Sequence, residues 1–529
     1  MHMHRAIGLI GLTFVAVSGV IGSGWLFAPL LASQQAGPAA LLAWLIGGVA
    51  ILLLALTFAE VSAMLPVPGG IARIPQFSHG NVVAMAMGWT AWVGYNTTAP
   101  VEVEATMRYL APHSAWLYGA GGDLSITGVL VACALMAIFT VINAYGVKLF
   151  ATVNTAITWV KIAVPLVAIV ALLATRFETQ NLTAGGGFAP LGLAGVLSAI
   201  SSGGIIFSYI GFRHAVDMAG EAKNPGFNLP AALILSILIC FVVYGGIQLA
   251  FLGALPAGAA DGGWAHLAFP GSFGPLGAVA ASLGLVWLVA LLNAGAVVGP
   301  FGGGLVAVGS NARVAFALAE NRFFPRIFAT LSSRGVPLAA LLLNFCFSAL
   351  IFLLLPFDEI VQLNSSAIVL SFIVGPIAVL ALRRLMPDQH RPFRLPAAEI
   401  VCAICFVVAT LIVYWSGWAT VWRLGVALLV GLALFVVHAR GTFRGKLDIA
   451  EATWLVPYLA GIAAVSFAGS RDFGGQGWIP FGWDMLLITV GSLAVFAYAV
   501  RSRLPQGKFD RYIAEERVLE KATEDEPAL

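Results

Sequence analysis

Two basic residues lie deep inside apolar segments of this chain, where a charge is costly and usually has a function. Lys161 lies in the middle of NTAITWVKIAVP, with no acidic residue within a helical turn on either side. It can bind and release a proton, or it can be a permanently charged tether. Arg213, in FSYIGFRHAVDMAG, can bind a carboxylate through two hydrogen bonds. It can equally pair with Asp217, four residues later on the same helical face.

Two carboxylates lie near the predicted outer end of the third apolar segment. Glu102 and Glu104 follow Pro100 in that segment. A carboxylate there can relay protons or repel an acidic substrate. It can also be an exposed loop acid, and Arg108, four residues after Glu104, offers a simple salt-bridge partner.

Two of the apolar segments contain glycine clusters that favour a broken helix. The segment 17–29 contains Gly19, Gly22 and Gly24, and the segment 198–220 contains Gly203, Gly204 and Gly211. In lipid, unwound backbone is tolerated only where protein buries it or where it lines a wet cavity. Small residues also allow close helix packing, which is the alternative interpretation. Paired breaks in two halves of a chain are typical of a transporter binding site.

A broken helix offers peptide groups that suit a zwitterion. Where the first segment resumes, near Gly24, free N–H groups and the positive end of the helix dipole can bind a carboxylate. Where the first half of the second segment ends, near Phe207 to Tyr209, free carbonyls can bind an ammonium. For the two aromatic side chains, packing is the alternative role. For Ser23, the alternative is a local hydrogen bond to the backbone.

The composition predicts an all-helical protein that crosses a membrane many times. The chain has 529 residues, of which 60% are hydrophobic and only 10% are charged. We predict fourteen spans, with twelve as the alternative because the last two are the least regular. They cover residues 7–33, 39–65, 81–107, 125–143, 149–175, 195–219, 229–253, 276–312, 336–355, 359–382, 397–416, 418–437, 450–468 and 484–500.

The distribution of basic residues predicts the orientation of the chain in the membrane. With the N-terminus inside, 21 of the 27 Lys and Arg residues lie on the cytoplasmic side. The C-terminal tail, residues 504–529, then also lies in the cytoplasm, which is consistent with a plasma (inner) membrane protein. We expect no nucleic-acid partner, metal or enzymatic cofactor. No nucleophile–base pair or phosphate-binding loop is recognisable, so we predict a non-enzyme powered by an ion gradient or by exchange.

Five motifs, in the same order and spacing, resemble those of the amino acid–polyamine–organocation (APC) permeases. Within that family, the segment with Arg213 and His214 looks most like the aspartate–proton symporter branch. Besides Lys161, the motifs are VIGSGWLFAP, FAEVSAMLPVPGG, FSYIGFRHAVDMAGEAKNPGFNLP and SNARVAFALAENRFFP. The resemblance implies a LeuT-like fold of two inverted five-helix repeats, in which spans 1 and 6 are discontinuous. About four further spans follow. The corresponding ranges are 1–180, 190–385 and 395–503, before the tail.

The same resemblance implies the roles of the site residues. The substrate carboxylate is bound by Ile21, Gly22, Ser23 and Gly24. Its amine and side chain face Phe207, Ser208, Tyr209, Gly211 and Arg213. Protonated Lys161 binds the carbonyls exposed at the first break, around Gly19 and Val20. With Glu102 and Glu104 it is a candidate for proton coupling, since protons are the expected coupling ion.

We therefore predict a proton-coupled symporter of amino acids that works by alternating access, with a preference for acidic substrates such as aspartate and glutamate. An amino acid or polyamine exchanger and a neutral amino acid permease are the alternatives. The expected partners are the small-molecule substrate and membrane lipid. A monomer and a homodimer are both compatible with the sequence.

Overall fold

The computed structural model describes residues 7–65, 70–110, 114–119, 122–145, 147–217, 222–269, 274–442 and 447–525. Within these ranges the chain is helical and forms no β-strand, only two isolated bridges. This confirms the all-helical prediction.

In the first half of the chain, the described residues form eleven α-helices. They are α1 Leu9–Val20, α2 Gly24–Ala36, α3 Ala40–Met64, α4 Gly70–His79, α5 Asn81–Leu110, α6 Ile126–Tyr145, α7 Val147–Thr175, α8 Gly192–Ser202, α9 Ile205–Tyr209, α10 Arg213–Asp217 and α11 Pro225–Ala254. The second half forms another eleven. They are α12 Gly274–Ser282, α13 Val286–Glu320, α14 Leu338–Leu354, α15 Phe357–Phe372, α16 Val374–Leu385, α17 Ala398–Trp415, α18 Trp418–Thr442, α19 Ile449–Ala452, α20 Leu455–Ala468, α21 Trp483–Arg501 and α22 Gln506–Asp525.

The length and hydropathy of the helices fit a multi-pass membrane protein. Among the described residues, nine helices are long and apolar enough to cross a membrane, or ten if the bent pair α8 and α9–α10 counts as one span. Helices α5, α7, α11, α13 and α15 pack together around the broken helices. Large apolar side chains on outer helices are exposed, among them Ile126, Val242 and Leu429. Such a belt is the surface that lipid covers.

A buried carboxylate fastens the end of α3 to the other half of the chain. Glu60 is 1% exposed and accepts two hydrogen bonds from Arg383, at 2.8 and 2.7 Å. Arg391 lies 3.5 Å away, and the Leu395 N–H also donates to this carboxylate at 2.6 Å. The partners of Glu60 belong to α16 and to the loop after it.

Residues 506–525 of the C-terminal tail form a helix that packs against α4 and the start of α19. The buried Asp448 carboxylate accepts hydrogen bonds from the Asn81 N–H at 3.2 Å and from the Tyr512 hydroxyl at 2.6 Å. Lys508 bridges Asp448 at 3.0 Å and Glu451 at 2.7 Å. These two carboxylates raise the pKa of Lys508. The tail is therefore bound to the body of the protein by buried polar contacts.

Candidate functional site

The first apolar segment is interrupted where its glycines cluster. Helix α1 ends at Val20, and α2 begins at Gly24 after three residues that are not helical. The Ile21 N–H still donates to Val17 at 2.8 Å, but the Gly22 N–H turns back to Val20 at 2.9 Å. The break therefore leaves carbonyls at the end of α1 and N–H groups at the start of α2 available to other partners.

The second segment is interrupted twice. Helix α8 ends at Ser202, and a bend of 46° separates it from the helices that follow. Gly204 has a φ of 79°, which only glycine adopts easily. A tighter 3₁₀ turn over residues 210–212 then separates α9 from α10. We expected the first half of this span to end near Phe207 to Tyr209. The main bend lies earlier because the left-handed turn requires glycine, and the end of α9 at Tyr209 is the smaller irregularity.

The two broken helices touch backbone to backbone. A methyl group added at Gly211 would overlap the Gly19 carbonyl and the Val20 nitrogen. One added at Gly24 would overlap the Ser208 side chain. These glycines therefore allow the two breaks to approach each other more closely than any other residue would.

A small cavity of about 40 Å³ lies between the breaks. This space holds roughly two water molecules and is too small for an amino acid. It is lined by the break in the first segment, by α5 and α7, by the segment from α9 to α10, and by α13. The lining residues are Ser18, Gly19, Val20, Gly22, Thr98, Glu102, Lys161, Phe207, Ile210, Gly211, Arg213, His214, Gly303, Val306 and Ala307.

Lys161 and Glu102 both contact the first break. The Lys161 ammonium donates to the Ser18 carbonyl at 3.3 Å, one residue before the predicted carbonyls of Gly19 and Val20. Glu102 Oε1 accepts the Ser23 N–H at 3.2 Å. Lys161 is 2% exposed and Glu102 is 3% exposed, and the two charges interact electrostatically. Lys161 has no acidic neighbour in sequence, so this pairing depends on the fold.

Arg213 also lines the cavity. Its guanidinium carbon lies 3.2 Å from the centre of the Tyr95 ring on α5, a cation–π contact. The side chain is 4% exposed, and its Nη1 makes no hydrogen bond to the described residues. The proposed partner Asp217 ends α10, but its side chain lies outside the described part of the chain. Tyr95 was absent from our sequence interpretation, although Tyr95, Thr98 and Glu102 share one face of α5 by their helical spacing.

The remaining predicted residues lie around the cavity rather than on it. Ile21 and Gly24 are buried beside the lining residues, and Ser23 contributes its N–H. The Ser208 hydroxyl donates to the Gly204 carbonyl of its own segment at 2.8 Å. Tyr209 is fully buried and packs edge-on against Trp44.

Glu104 points away from the cavity and pairs with Arg108 at 3.4 Å. It is 2% exposed, so it is not the exposed loop acid that we considered. Helix α5 continues to Leu110 and keeps this residue inside the protein. A metal site was not expected, and the described residues contain no group of three or more His, Cys, Asp or Glu that could hold one.

Comparison with known proteins places this geometry in a wider context. A family model described as amino acid permease matches residues 7–435. The glutamate/serine transporter AimA of Bacillus subtilis is 36% identical over 510 residues, which cover 94% of each chain. The aspartate-proton symporter of the same organism is 35% identical over 520 residues, covering 96% of this chain and 98% of that one. The vacuolar cationic amino acid transporter 2 of Arabidopsis thaliana is 26% identical over 419 residues, 76% of this chain and 63% of that one.

Proposed function

Because this chain belongs to the amino acid permease family of the APC superfamily, we propose that it is a proton-coupled symporter that prefers acidic amino acids. The observation that carries the proposal is the cavity between two interrupted helices. Beside the cavity, the Ser23 N–H just before α2 binds a carboxylate, that of Glu102, and the buried Arg213 guanidinium lines the cavity itself. A dicarboxylic amino acid has one carboxylate for each of these two groups.

The architecture proposed with this function has fourteen spans in the plasma (inner) membrane, with both termini in the cytoplasm. Residues 1–180 and 190–385 form the two inverted repeats, and residues 395–503 add four spans. In such an arrangement one repeat moves against the other around a fixed site near the middle of the bilayer. The contact between Gly19 and Gly211 lies where the two repeats meet.

The α-carboxylate of the substrate binds at the start of α2. The N–H groups of Ser23 and Gly24 are at the positive end of that helix, which favours an anion. The ammonium binds the carbonyls near residues 207–211, beside Phe207. This leaves the second carboxylate of aspartate or glutamate to face Arg213, which binds it through two parallel hydrogen bonds. Relatives named for glutamate and for aspartate support this substrate class, and the first of them is also named for the neutral amino acid serine.

Proton coupling is assigned to Lys161, with Glu102 and Glu104 as further candidates. Protonated Lys161 fastens α7 to the Ser18 carbonyl at the end of α1. Loss of the proton weakens that bond, because a neutral amine is a poorer donor than an ammonium, and frees the first break to move. The proton therefore shifts the balance between the outward-open and inward-open states.

Uptake of radiolabelled L-aspartate into proteoliposomes tests this function. A pH gradient that is acidic outside should accelerate uptake, and a proton ionophore should abolish the acceleration. The Lys161→Arg variant keeps the charge but holds its proton, so it should bind L-aspartate without pH-stimulated uptake. Arg326→Lys, at an exposed position, is the matched control. Uptake that requires preloaded substrate and ignores the pH gradient would instead establish an exchanger.

A further inference from the structure

Glu102 already occupies the position that the proposed function assigns to the substrate carboxylate. Its Oε1 accepts the Ser23 N–H at 3.2 Å, at the start of α2. Its carboxylate also lies against Gly22 and Gly303, where an added methyl group would meet it. The protein therefore has a carboxylate of its own at its carboxylate site.

This bond uses only part of the hydrogen-bonding capacity of Glu102. Oε2 is buried and makes no hydrogen bond within the described part of the chain. A buried carboxylate oxygen without a partner is costly, so the observed position is not an optimal resting place for the side chain. Lys161 lines the same cavity and interacts electrostatically with Glu102, so a second location for this carboxylate is close by.

Two ionised carboxylates cannot share this N–H. A peptide N–H makes one strong hydrogen bond at a time, and two like charges within hydrogen-bonding distance repel strongly in a buried site. The cavity of about 40 Å³ is also too small for an amino acid, so binding must move lining groups, of which Glu102 is one. Substrate binding at Ser23 therefore requires Glu102 to leave.

We infer that the Glu102 carboxylate is a tethered competitor, which occupies the Ser23 N–H until the α-carboxylate of the substrate displaces it. This inference rests on the proposed binding of an amino acid at the first break. The charged and titratable side chains that face Glu102 across the cavity are Lys161 from α7 and Arg213 and His214 from α10. Displacement turns Glu102 towards Lys161, whose ammonium pairs with its carboxylate while the substrate carboxylate takes the Ser23 N–H.

Direct binding to the purified protein tests the inference without transport. The dissociation constants of L-aspartate and L-serine are measured by calorimetry for the wild type, Glu102→Gln and Glu102→Ala. Because Glu102→Ala removes the competitor, it should bind both amino acids about tenfold more tightly, or better. This factor corresponds to the free energy of one charge-assisted hydrogen bond. Glu102→Gln should bind the amino acids only slightly more tightly than the wild type, because its amide oxygen still accepts the Ser23 N–H. It also serves as the deciding variant if Glu102→Ala does not fold.

The two probes separate competition from a general charge effect. A competitor for the α-carboxylate weakens the binding of both amino acids. Its removal should therefore tighten the binding of both by the same factor. Tighter binding of L-aspartate alone would show that Glu102 acts only through its charge, and this result would overturn the inference. Unchanged or weaker binding in the folded variants would also overturn it. Glu359→Gln, which removes a carboxylate from the separate Arg423 pair, is the control and should change neither constant.

These outcomes are distinct from a failure of the proposed function. If L-aspartate and L-serine bind and the Glu102 variants respond as expected, but uptake ignores the pH gradient, then proton symport is wrong and competition remains. If uptake follows the gradient but the variants bind no more tightly, then only the competition is wrong.

Discussion

Arg213→Gln should convert the transporter from a preference for acidic substrates to a preference for neutral ones. Glutamine keeps a polar side chain at this wall of the cavity but removes the charge and the paired N–H donors. The substrate's second carboxylate then loses a charge-assisted interaction of about 1.5–3 kcal/mol. That loss corresponds to a fall of roughly 10- to 100-fold in kcat/KM for L-aspartate.

The cation–π contact between Arg213 and Tyr95 does not enter this difference. The ring contact, at 3.2 Å, is made by the protein itself, so its loss affects every substrate alike. The ratio of kcat/KM for L-aspartate to that for L-serine therefore isolates the role of Arg213 in substrate choice.

The assay is uptake of the two labelled amino acids in parallel by proteoliposomes of the wild type and the variant. Arg423→Gln is the control, because Arg423 pairs with Glu359 at 2.9 Å and does not line the cavity. Its ratio should match that of the wild type. If Arg213→Gln reduces uptake of both substrates in equal proportion, then Arg213 is a structural cation and our account of acidic preference fails.

Two further predictions concern the backbone contact and the end of α4. Gly211→Ala should cost about 1–3 kcal/mol of stability and reduce uptake at least about tenfold, because backbone atoms of the first break cannot move aside. Thermal unfolding and uptake assays measure these effects. The control is Gly425→Ala, in open space on α18, which should show neither effect. Burial lowers the pKa of His79 from 6.5 to about 4, so at pH 5 the unfolded chain binds a proton that the folded one does not. Denaturant unfolding should therefore show about 2 kcal/mol less stability at pH 5 than at pH 8, and His79→Asn should remove that difference; an unchanged pH profile in the variant would contradict it.

Local sequence signals predicted the elements of the site better than its contacts. The first break lies inside the predicted stretch because Gly19, Gly22 and Gly24 make unwinding of the helix least costly there. The second break was placed too late. Several glycines were available in that segment, and only the fold decides which of them takes the left-handed conformation at Gly204.

The contacts that join distant segments could not be predicted from the sequence. The bond from the Ser23 N–H to Glu102 spans 79 residues, and the bond from Lys161 to Ser18 spans 143. Each depends on how α5 and α7 pack against the first break, which no local pattern encodes. The same holds for the stacking of Arg213 on Tyr95, although the helical spacing of Tyr95 and Glu102 indicated a shared face of α5.

The most direct test of our central claim is a cryo-EM structure of the protein with bound L-aspartate. We expect the α-carboxylate of the ligand within hydrogen-bonding distance of the Ser23 N–H, its second carboxylate at Arg213, and the Glu102 side chain displaced towards Lys161. A ligand bound away from both breaks, with Glu102 still on Ser23, would contradict the account.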